Sequence, residues 1–531
     1  MLKRKIYLLL TATLIGIQPG WGKGKAERVV VVVWDGMRPD FVTEQTTPTL
    51  FRLTREGVTF KNHHPVYVST TEVNGTALAT GRYPEESGII ANKEFRPEIK
   101  PDGKIQTESL EAIRRGDALT GGHYLAVPTL AETLHEHSLQ SAIAGAKQVV
   151  LLHDRLPRAE GSLGVNLFAG QSLPDSLAGL VASRLGAFPE EKKSTAERDR
   201  WTTDALTGTL WEKGVPPYSL LWLGEPDRSQ HETGPGSKES LAALKKSDCD
   251  LANVLQVLED KKLRDTTDVI VVSDHGFSTI WQNADVVGTL NKNGFHAARK
   301  FTAAGPQAGD VMVIGNGGSV FLYVTGHDQS EIQKMVRCLQ AQPFTGVVLT
   351  KEPMPGTFTL NQVRLNSAAA PDVVISLRWT AAKSGNGTPG LLYSDYGDYG
   401  PGQGMHGSLS PFDLHNTCIA AGPDFQRGIT DCLPTGNIDI ARTVLFLLGI
   451  EKPLSGRVLE EALVRDEKMQ ATFEPHHLEA TYAGDNFTWW QYLNYSELNG
   501  VVYFDEGNGE QRPAAKNPVL SSGKTEAKGS Q

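Results

Sequence analysis

The chain has 531 residues, 39% of them hydrophobic and 21% charged, and a formal net charge of −9. That balance belongs to a globular protein long enough for one large α/β domain with insertions, or for two domains. It argues against a dedicated nucleic-acid binder, whose surface needs clustered Lys and Arg.

The first residues read as a targeting signal. Residues 1–5 are basic, 6–17 are apolar, and Gly20-Trp21-Gly22 offers small residues before Lys23. Residues 1–22 are therefore expected to be a signal peptide, with an uncleaved membrane anchor as the alternative. No later stretch reaches spanning length, so a periplasmic or secreted chain without a membrane span is expected. In such a compartment Cys249, Cys338, Cys418 and Cys432 have three possible pairings, and free thiols are the other outcome.

Strands are predicted at 28–34, 218–223, 268–273 and 417–421, with helical patterns between them at 129–134 and 241–262. Strand and helix alternate as in a doubly wound central sheet flanked by helices, an α/β fold. Residues 23–465 are expected to form the catalytic domain. Residues 93–125 are polar and Gly-bearing, and about 283–400 carry Gly- and Pro-rich loops expected to form an inserted cap that sets substrate choice. Within the cap, residues 392–404 are rich in Tyr and Gly, and either line the mouth of the site or form a surface loop. Residues 466–504 are aromatic and β-prone, and packing of this extension on the core is preferred over a stacking surface. The tail at 505–531 is polar and expected to be disordered.

Acidic and histidine signatures recur along this framework: Asp35 in VWDGMRPD, Asp227 and His231 in GEPDRSQH, Asp274-His275 in VSDHG, and His406 in GQGMHG. Three of the four follow apolar runs that read as buried strands, and strand ends are where an α/β sheet gathers its ligands. Taken singly, Asp35 is a turn or cap residue and His406 a loop histidine. Together the six side chains suffice for two metal ions with open positions. With no thiolate among them zinc is the expected ion, manganese or another divalent cation the alternative. Ser69, Thr70 and Thr71 lie just before NGTALATG, a small-residue stretch suited to a helix start. A hydroxyl there feels positive dipole and free N–H groups, a setting for attack on a tetrahedral anion.

The order strand-Asp, Thr, Asn, Asp-x-x-x-His, Asp-His and a late His-Gly resembles the alkaline phosphatase superfamily, and its nucleotide pyrophosphatase/phosphodiesterase branch in particular, over roughly residues 28–450. In that branch the nucleophile stands ten residues before the Gly of a Thr-Gly pair and twenty-one before the Asn that helps hold the substrate. Gly81 and Asn92 stand at those spacings from Thr71, so the resemblance selects Thr71 over Thr70 and Ser69. It implies an alkaline-phosphatase-like fold. One metal would be held by Asp35, Thr71, Asp274 and His275, and the other by Asp227, His231 and His406. Thr71 would form a phosphothreonine intermediate on a small phosphoric ester, first of all a phosphodiester or pyrophosphate.

Two departures bear on the substrate. Nucleotide-cleaving members carry an aromatic after the nucleophile, where this chain has Glu72, which cannot stack on a base and would repel a second phosphate. Lys147, in AGAKQVV, is similar to a lysine with which some monoesterases of the superfamily bind the dianion, but the accompanying Arg is missing. Lys147 is thus either a substrate-binding residue of a monoesterase or a solvated loop lysine. A Cys or Ser followed by Pro and Arg, which sulfatases share, is absent. A binding protein that has lost catalysis is the remaining class, and it would lack one of the seven positions filled here.

Overall fold

Five consecutive valines make the first strand, β1 (Arg28–Trp34), and such a β-branched run suits a strand covered on both faces. Val29, Val31 and Val33 enter one hydrophobic layer, while Val30, Val32 and Trp34 enter the opposite one. The computed structural model describes residues 24–513 apart from 157–161, 191–194, 303, 398, 466–470 and 485. The expected signal peptide lies outside the described residues.

Eight further strands complete the central sheet: β2 (Val58–His64), β3 (Ser141–Gly145), β4 (Gly164–Phe168), β5 (Gln171–Leu173), β6 (Tyr218–Leu223), β7 (Thr267–Val272), β8 (Cys418–Ala421) and β9 (Ile429–Gly436). Their order across the sheet is β9-β2-β8-β7-β1-β6-β3-β4-β5. β1 runs parallel to both β6 and β7, which brings three strand ends together at the middle of the sheet. The helices that matter for the site are α1 (Thr71–Thr80), α2 (Asp227–Thr233), α3 (Lys238–Asp260) and α4 (Asn437–Leu447). α4 covers one face with Ile440, Val444 and Leu445, and α3 the other with Leu244, Leu251, Val254 and Leu258. The doubly wound arrangement expected from the alternating pattern is therefore present.

The inserted region differs from its expected loop-rich character. A six-stranded sheet is built around Val311–Asn316, Ser319–Val324, Thr345–Thr350 and Val373–Leu377, with helix Gln329–Gln340 packed on it. Its first hairpin turns at Gly317-Gly318, since Asn316 pairs with Ser319. That two-residue Gly-Gly turn between apolar runs is a sequence signal for a hairpin. A second sheet of four strands draws in Ser278–Ala284 and Gly404–Met405, so the insert begins and ends slightly outside 283–400.

The C-terminal segment forms an antiparallel three-stranded sheet of β10 (Glu474–Ala483), β11 (Phe487–Leu498) and β12 (Val501–Pro513). Trp489 is fully buried and donates to Gly356 O at 3.1 Å. Gln491 accepts from Val348 N (2.8 Å) and donates to Val348 O (3.1 Å), so one amide mimics a strand edge. The expectation of disorder from 505 onward is corrected by β12, which continues to Pro513. Polar residues there pair through their backbones with β11, and Trp379 Nε1 donates to Gly507 O at 2.7 Å. Hydrogen bonds hold a segment whose hydropathy is too low to announce it; residues 514–531 lie outside the described residues. All four cysteines are unpaired, Cys249 and Cys432 on the surface and Cys418 buried. Among the described residues no helix is long and apolar enough to cross a membrane.

Because Trp489 fills the core of the insert, Trp489→Ala should cost about 3–5 kcal/mol in urea-induced unfolding. A loss below about 1 kcal/mol would mean the C-terminal sheet is not part of the cooperative core.

Candidate active site

Each strand end at the middle of the sheet delivers an acid. Asp35 follows β1, Asp227 starts α2 just beyond β6, and Asp274 with His275 follows β7. Gly36, at φ +71°, turns the chain sharply after Asp35, and its N–H donates to Asp274 Oδ1 at 2.9 Å. A Cβ at Gly36 would meet the Phe277 ring at 2.9 Å, so no larger residue fits the turn. His231 lies one helical turn after Asp227 on α2, and His406 comes from the return of the insert.

The three histidines share one orientation. Nδ1 of His231, His275 and His406 donates to the carbonyls of Gly404 (3.0 Å), Gly276 (2.9 Å) and Ser69 (2.9 Å). A carbonyl only accepts, so Nδ1 carries the proton and every Nε2 presents a lone pair to the acids. His231 Nε2 stands 3.2 Å from Asp227 Oδ1, and His406 Nε2 3.6 Å from the same oxygen. His275 Nε2 stands 3.3 Å from Asp274 Oδ2 and 3.7 Å from Asp35 Oδ1. Asp35 Oδ1, Asp227 Oδ1 and Asp274 Oδ2 are all buried with no hydrogen-bond partner. Acceptors facing acceptors in a buried site are unfavourable unless cations lie between them, and histidines locked by carbonyls are the usual arrangement around a metal. The donor set therefore fits divalent cations. Asp227, His231 and His406 form one group with ligand atoms within 4.8 Å of one another, and Asp35, Asp227 and His275 form a second. Asp227 is common to both, where the sequence led us to expect it in one only.

Lys147 is not the solvated loop lysine considered above. Its Nζ lies 2.8 Å from Asp35 Oδ2 and 2.7 Å from Asp227 Oδ2, with the side chain 28% exposed. Burial works against its charge, but Asp227 and Asp35 outweigh burial and hold its pKa well above the usual lysine range. A single ammonium leaves three carboxylates undercompensated. Burial, then the Asp274 charge, drives Asp35 well above the usual carboxylate range, and burial lifts Asp274 to about 7. For Asp227 burial is opposed first by the Lys147 charge, and its pKa is held well below the ordinary value. Burial, reinforced by His275 and His231, keeps His406 well below the ordinary histidine value.

Thr71 is the first residue of α1, and its hydroxyl donates to His275 Nε2 at 3.2 Å. Thr70 is the N-cap residue but its hydroxyl is buried without a hydrogen-bond partner, and Ser69 donates to Ser408 O, so of these three hydroxyls that of Thr71 is the one bonded to a histidine of the cluster. Asn92 Oδ1 accepts from Glu72 N at 3.1 Å, which leaves its NH2 to donate elsewhere. Asn92, Thr70, His231 and His406 line a cavity of about 300 Å³ whose far wall is Gly315, Asn316, Asp395, Tyr396 and Tyr399. The Tyr- and Gly-rich segment thus reaches the mouth, and Tyr399 stacks on His231 with centroids 4.7 Å apart.

The sequence reading took Glu72 as an anion that would repel a second phosphate. The side chain is 6% exposed; burial, and next the Glu108 carboxyl, push its pKa well above the usual range. Its carboxyl is thus held towards the neutral form, so the expected repulsion of a second phosphate is reduced. Supporting residues also went unread. Trp222 Nε1 donates to Asp35 Oδ2 (2.8 Å), Asn437 Nδ2 to Asp274 O (2.7 Å), and Asp199 accepts from Gly224 N (2.6 Å) and Glu225 N (3.0 Å) ahead of Asp227. None of them carries a motif. Only the three-dimensional path of the chain brings them here.

Comparison with known proteins identifies the family. The sequence model of the family described as "Type I phosphodiesterase / nucleotide pyrophosphatase" matches residues 29–409. Human ectonucleotide pyrophosphatase/phosphodiesterase family member 7 is 23% identical over 83% of this chain and 85% of its own length. Human bis(5'-adenosyl)-triphosphatase is also 23% identical, over 53% of this chain, which spans 54% of that relative. Among solved structures, murine ectonucleotide pyrophosphatase/phosphodiesterase 5 superimposes with a TM-score of 0.59 at 19% identity, over 82% of this chain and 100% of its own. An inactive variant of that murine protein in complex with AMP gives 0.58.

Because Asp227 belongs to both ligand groups, Asp227→Asn should lower the divalent cation content of the purified protein, read by elemental analysis. Unchanged content would show that the cations are held elsewhere.

Proposed function

Since the chain belongs to the type I phosphodiesterase / nucleotide pyrophosphatase family, whose members are metal-dependent hydrolases, we propose that it is an exported two-metal enzyme that cleaves phosphodiester or pyrophosphate bonds of small phosphoric esters through Thr71. The observation that carries this reading is the meeting of Thr71, at the start of α1, with three buried carboxylates and three imidazole lone pairs. Asp35, Thr71, Asp274 and His275 would hold one cation, and Asp227, His231 and His406 the other. Zinc suits this set of nitrogen and oxygen donors. Bound there, two divalent cations supply Lewis acidity and charge neutralisation for an in-line displacement.

The chain's own residues provide the rest. Thr71 Oγ1 loses its proton and bonds to phosphorus as the bond to the leaving oxygen breaks, and the leaving group takes up a proton. The Thr71 N–H at the start of α1 and the Asn92 NH2 stabilise charge on the non-bridging oxygens, Asn92 being held by the Glu72 N–H. Water then attacks the phosphothreonine from the opposite side, and Thr71 Oγ1 regains its proton. Lys147 stands between an acid of each group, close enough to meet the extra charge of a phosphate monoester. That placement supports the second reading, a monoesterase. The basic and apolar N-terminal residues support export, and the similarity to ectonucleotide enzymes agrees with it.

Thr71→Ala should lower kcat/KM on the best substrate by on the order of a thousandfold or more, while fold and most bound metal persist. Chelation should abolish turnover and zinc restore it; full activity after confirmed metal loss would defeat the two-metal reading. Parallel assays on an aryl phosphate, a nucleotide aryl phosphodiester and an aryl sulfate rank the substrate classes. If Lys147 serves a monoester dianion, Lys147→Ala should cut monoester kcat/KM roughly tenfold to a hundredfold and spare the diester. Equal effects on both would remove the support for a monoesterase.

A further inference from the structure

A second cluster of ligand-type side chains lies away from the catalytic centre, where the C-terminal sheet meets the main domain. His64 ends β2, His415 follows the short helix Pro411–Leu414, and Asp505 belongs to β12. Each offers one ligand atom, and the atoms all lie within 4.8 Å of one another.

The hydrogen bonds settle which nitrogens face inward. His64 Nδ1 donates to Thr435 O at 3.0 Å, and His415 Nδ1 donates to Pro411 O at 3.0 Å. Both protons are committed to carbonyls, so both Nε2 atoms present lone pairs. His64 Nε2 faces Asp505 Oδ1 at 3.1 Å, and His415 Nε2 faces Asn62 Oδ1 at 3.2 Å, with the rings 4.6 Å apart. Two imidazole lone pairs and a carboxylate oxygen thus converge, with the Asn62 amide oxygen against one of the imidazoles. Protonating His64 would satisfy its contact with Asp505 and leave His415 against Asn62. One cation satisfies all four, and carbonyl-locked histidines are the arrangement that orients imidazoles towards a metal. Asp505 is itself fixed, since its Oδ2 accepts from Ser496 Oγ at 2.9 Å. An open cavity of about 550 Å³, lined by His415, His476, Asn494, Tyr495 and Asp505, gives ions a path from solvent.

We propose that His64, His415 and Asp505, with the Asn62 amide oxygen completing the set, form a third divalent cation site that fastens the C-terminal sheet to the catalytic domain. Two imidazoles, one carboxylate and no thiolate select zinc or a similar transition metal over calcium or magnesium. The role is structural. The ion joins the end of β2, the loop beyond Leu414 and β12, three segments with no covalent link nearby. It also stands next to the support of the active site. His63, the neighbour of His64, bonds Thr435 and Asn437, and Asn437 holds the Asp274 carbonyl.

The test compares wild type with His415→Asn and Asp505→Asn after zinc loading and desalting. Asparagine at 415 keeps an amide donor for Pro411 O and removes Nε2. Each variant should hold one zinc fewer per chain than wild type and keep turnover at moderate temperature, and zinc should raise its melting temperature by less than it raises that of wild type. The difference of one ion does not depend on how many ions the catalytic centre binds, so failure here and failure of the proposed function are distinguishable. Equal zinc content in wild type and both variants overturns the site and leaves a His64–Asp505 ion pair. If the variants do not fold, an anomalous difference map of zinc-loaded wild-type crystals decides. A peak between His64, His415 and Asp505 supports the site, and its absence overturns it.

Discussion

Three buried carboxylates brought within a few ångströms of one another repel, and most of what surrounds the centre of this molecule makes sense as a response to that repulsion. Asp35, Asp227 and Asp274 stand at the ends of three adjacent parallel strands, where the sheet leaves no room to spread them apart. Lys147 supplies one positive charge, Trp222 and the Gly36 amide each donate a hydrogen bond, and three histidines turn lone pairs rather than protons inward. Protons would be the simplest remedy for the charge. The carbonyls of Gly404, Gly276 and Ser69 direct the imidazole protons outward instead, so the arrangement is built for cations.

The same constraint explains where the chain spends its strongest packing. Val30, Val32 and Trp34 beneath one side of β1, and Val29, Val31 and Val33 beneath the other, leave its end little freedom to move. α1 begins at Thr71 in the middle of this core, with every residue buried, and holds the hydroxyl against His275 rather than in solvent. Small residues there are a packing requirement, since a Cβ at Gly75 would meet Val149 at 2.6 Å. A rigid hydroxyl and rigid ligands reduce the reorganisation needed on reaction.

Outside the central sheet, the insert and the C-terminal sheet serve as one buttress. Strand Val311–Asn316 ends at the active-site cavity, and its sheet is packed from behind by Trp489 and joined to Gln491 at its edge. Tyr399, on the returning segment of the insert, lies flat on His231 and so links the wall of the cavity to the acid and histidine cluster. Beside Thr71, burial raises the pKa of both the Glu72 and the Glu108 carboxyl.

Much of the framework was legible in the amino-acid sequence, because periodicity and residue order are local properties. The valine run of β1, the apolar runs before Asp227 and Asp274, and the long amphipathic pattern of α3 each announce their element without reference to the rest of the chain. The acid and histidine signatures could be recognised together because three of the four sit at the end of such an element. The tertiary structure decided what depends on distant partners. It made Asp227 common to both ligand groups, tied Lys147 to two acids, turned Glu72 into a buried acid, and organised the insert into sheets. It also continued β12 through polar residues that look structureless in isolation. Hydropathy reports what a segment loses by leaving water, whereas a strand edge or a histidine tautomer is set by the group opposite, which lies next door for His275 and Gly276 but hundreds of residues away for His406 and Ser69.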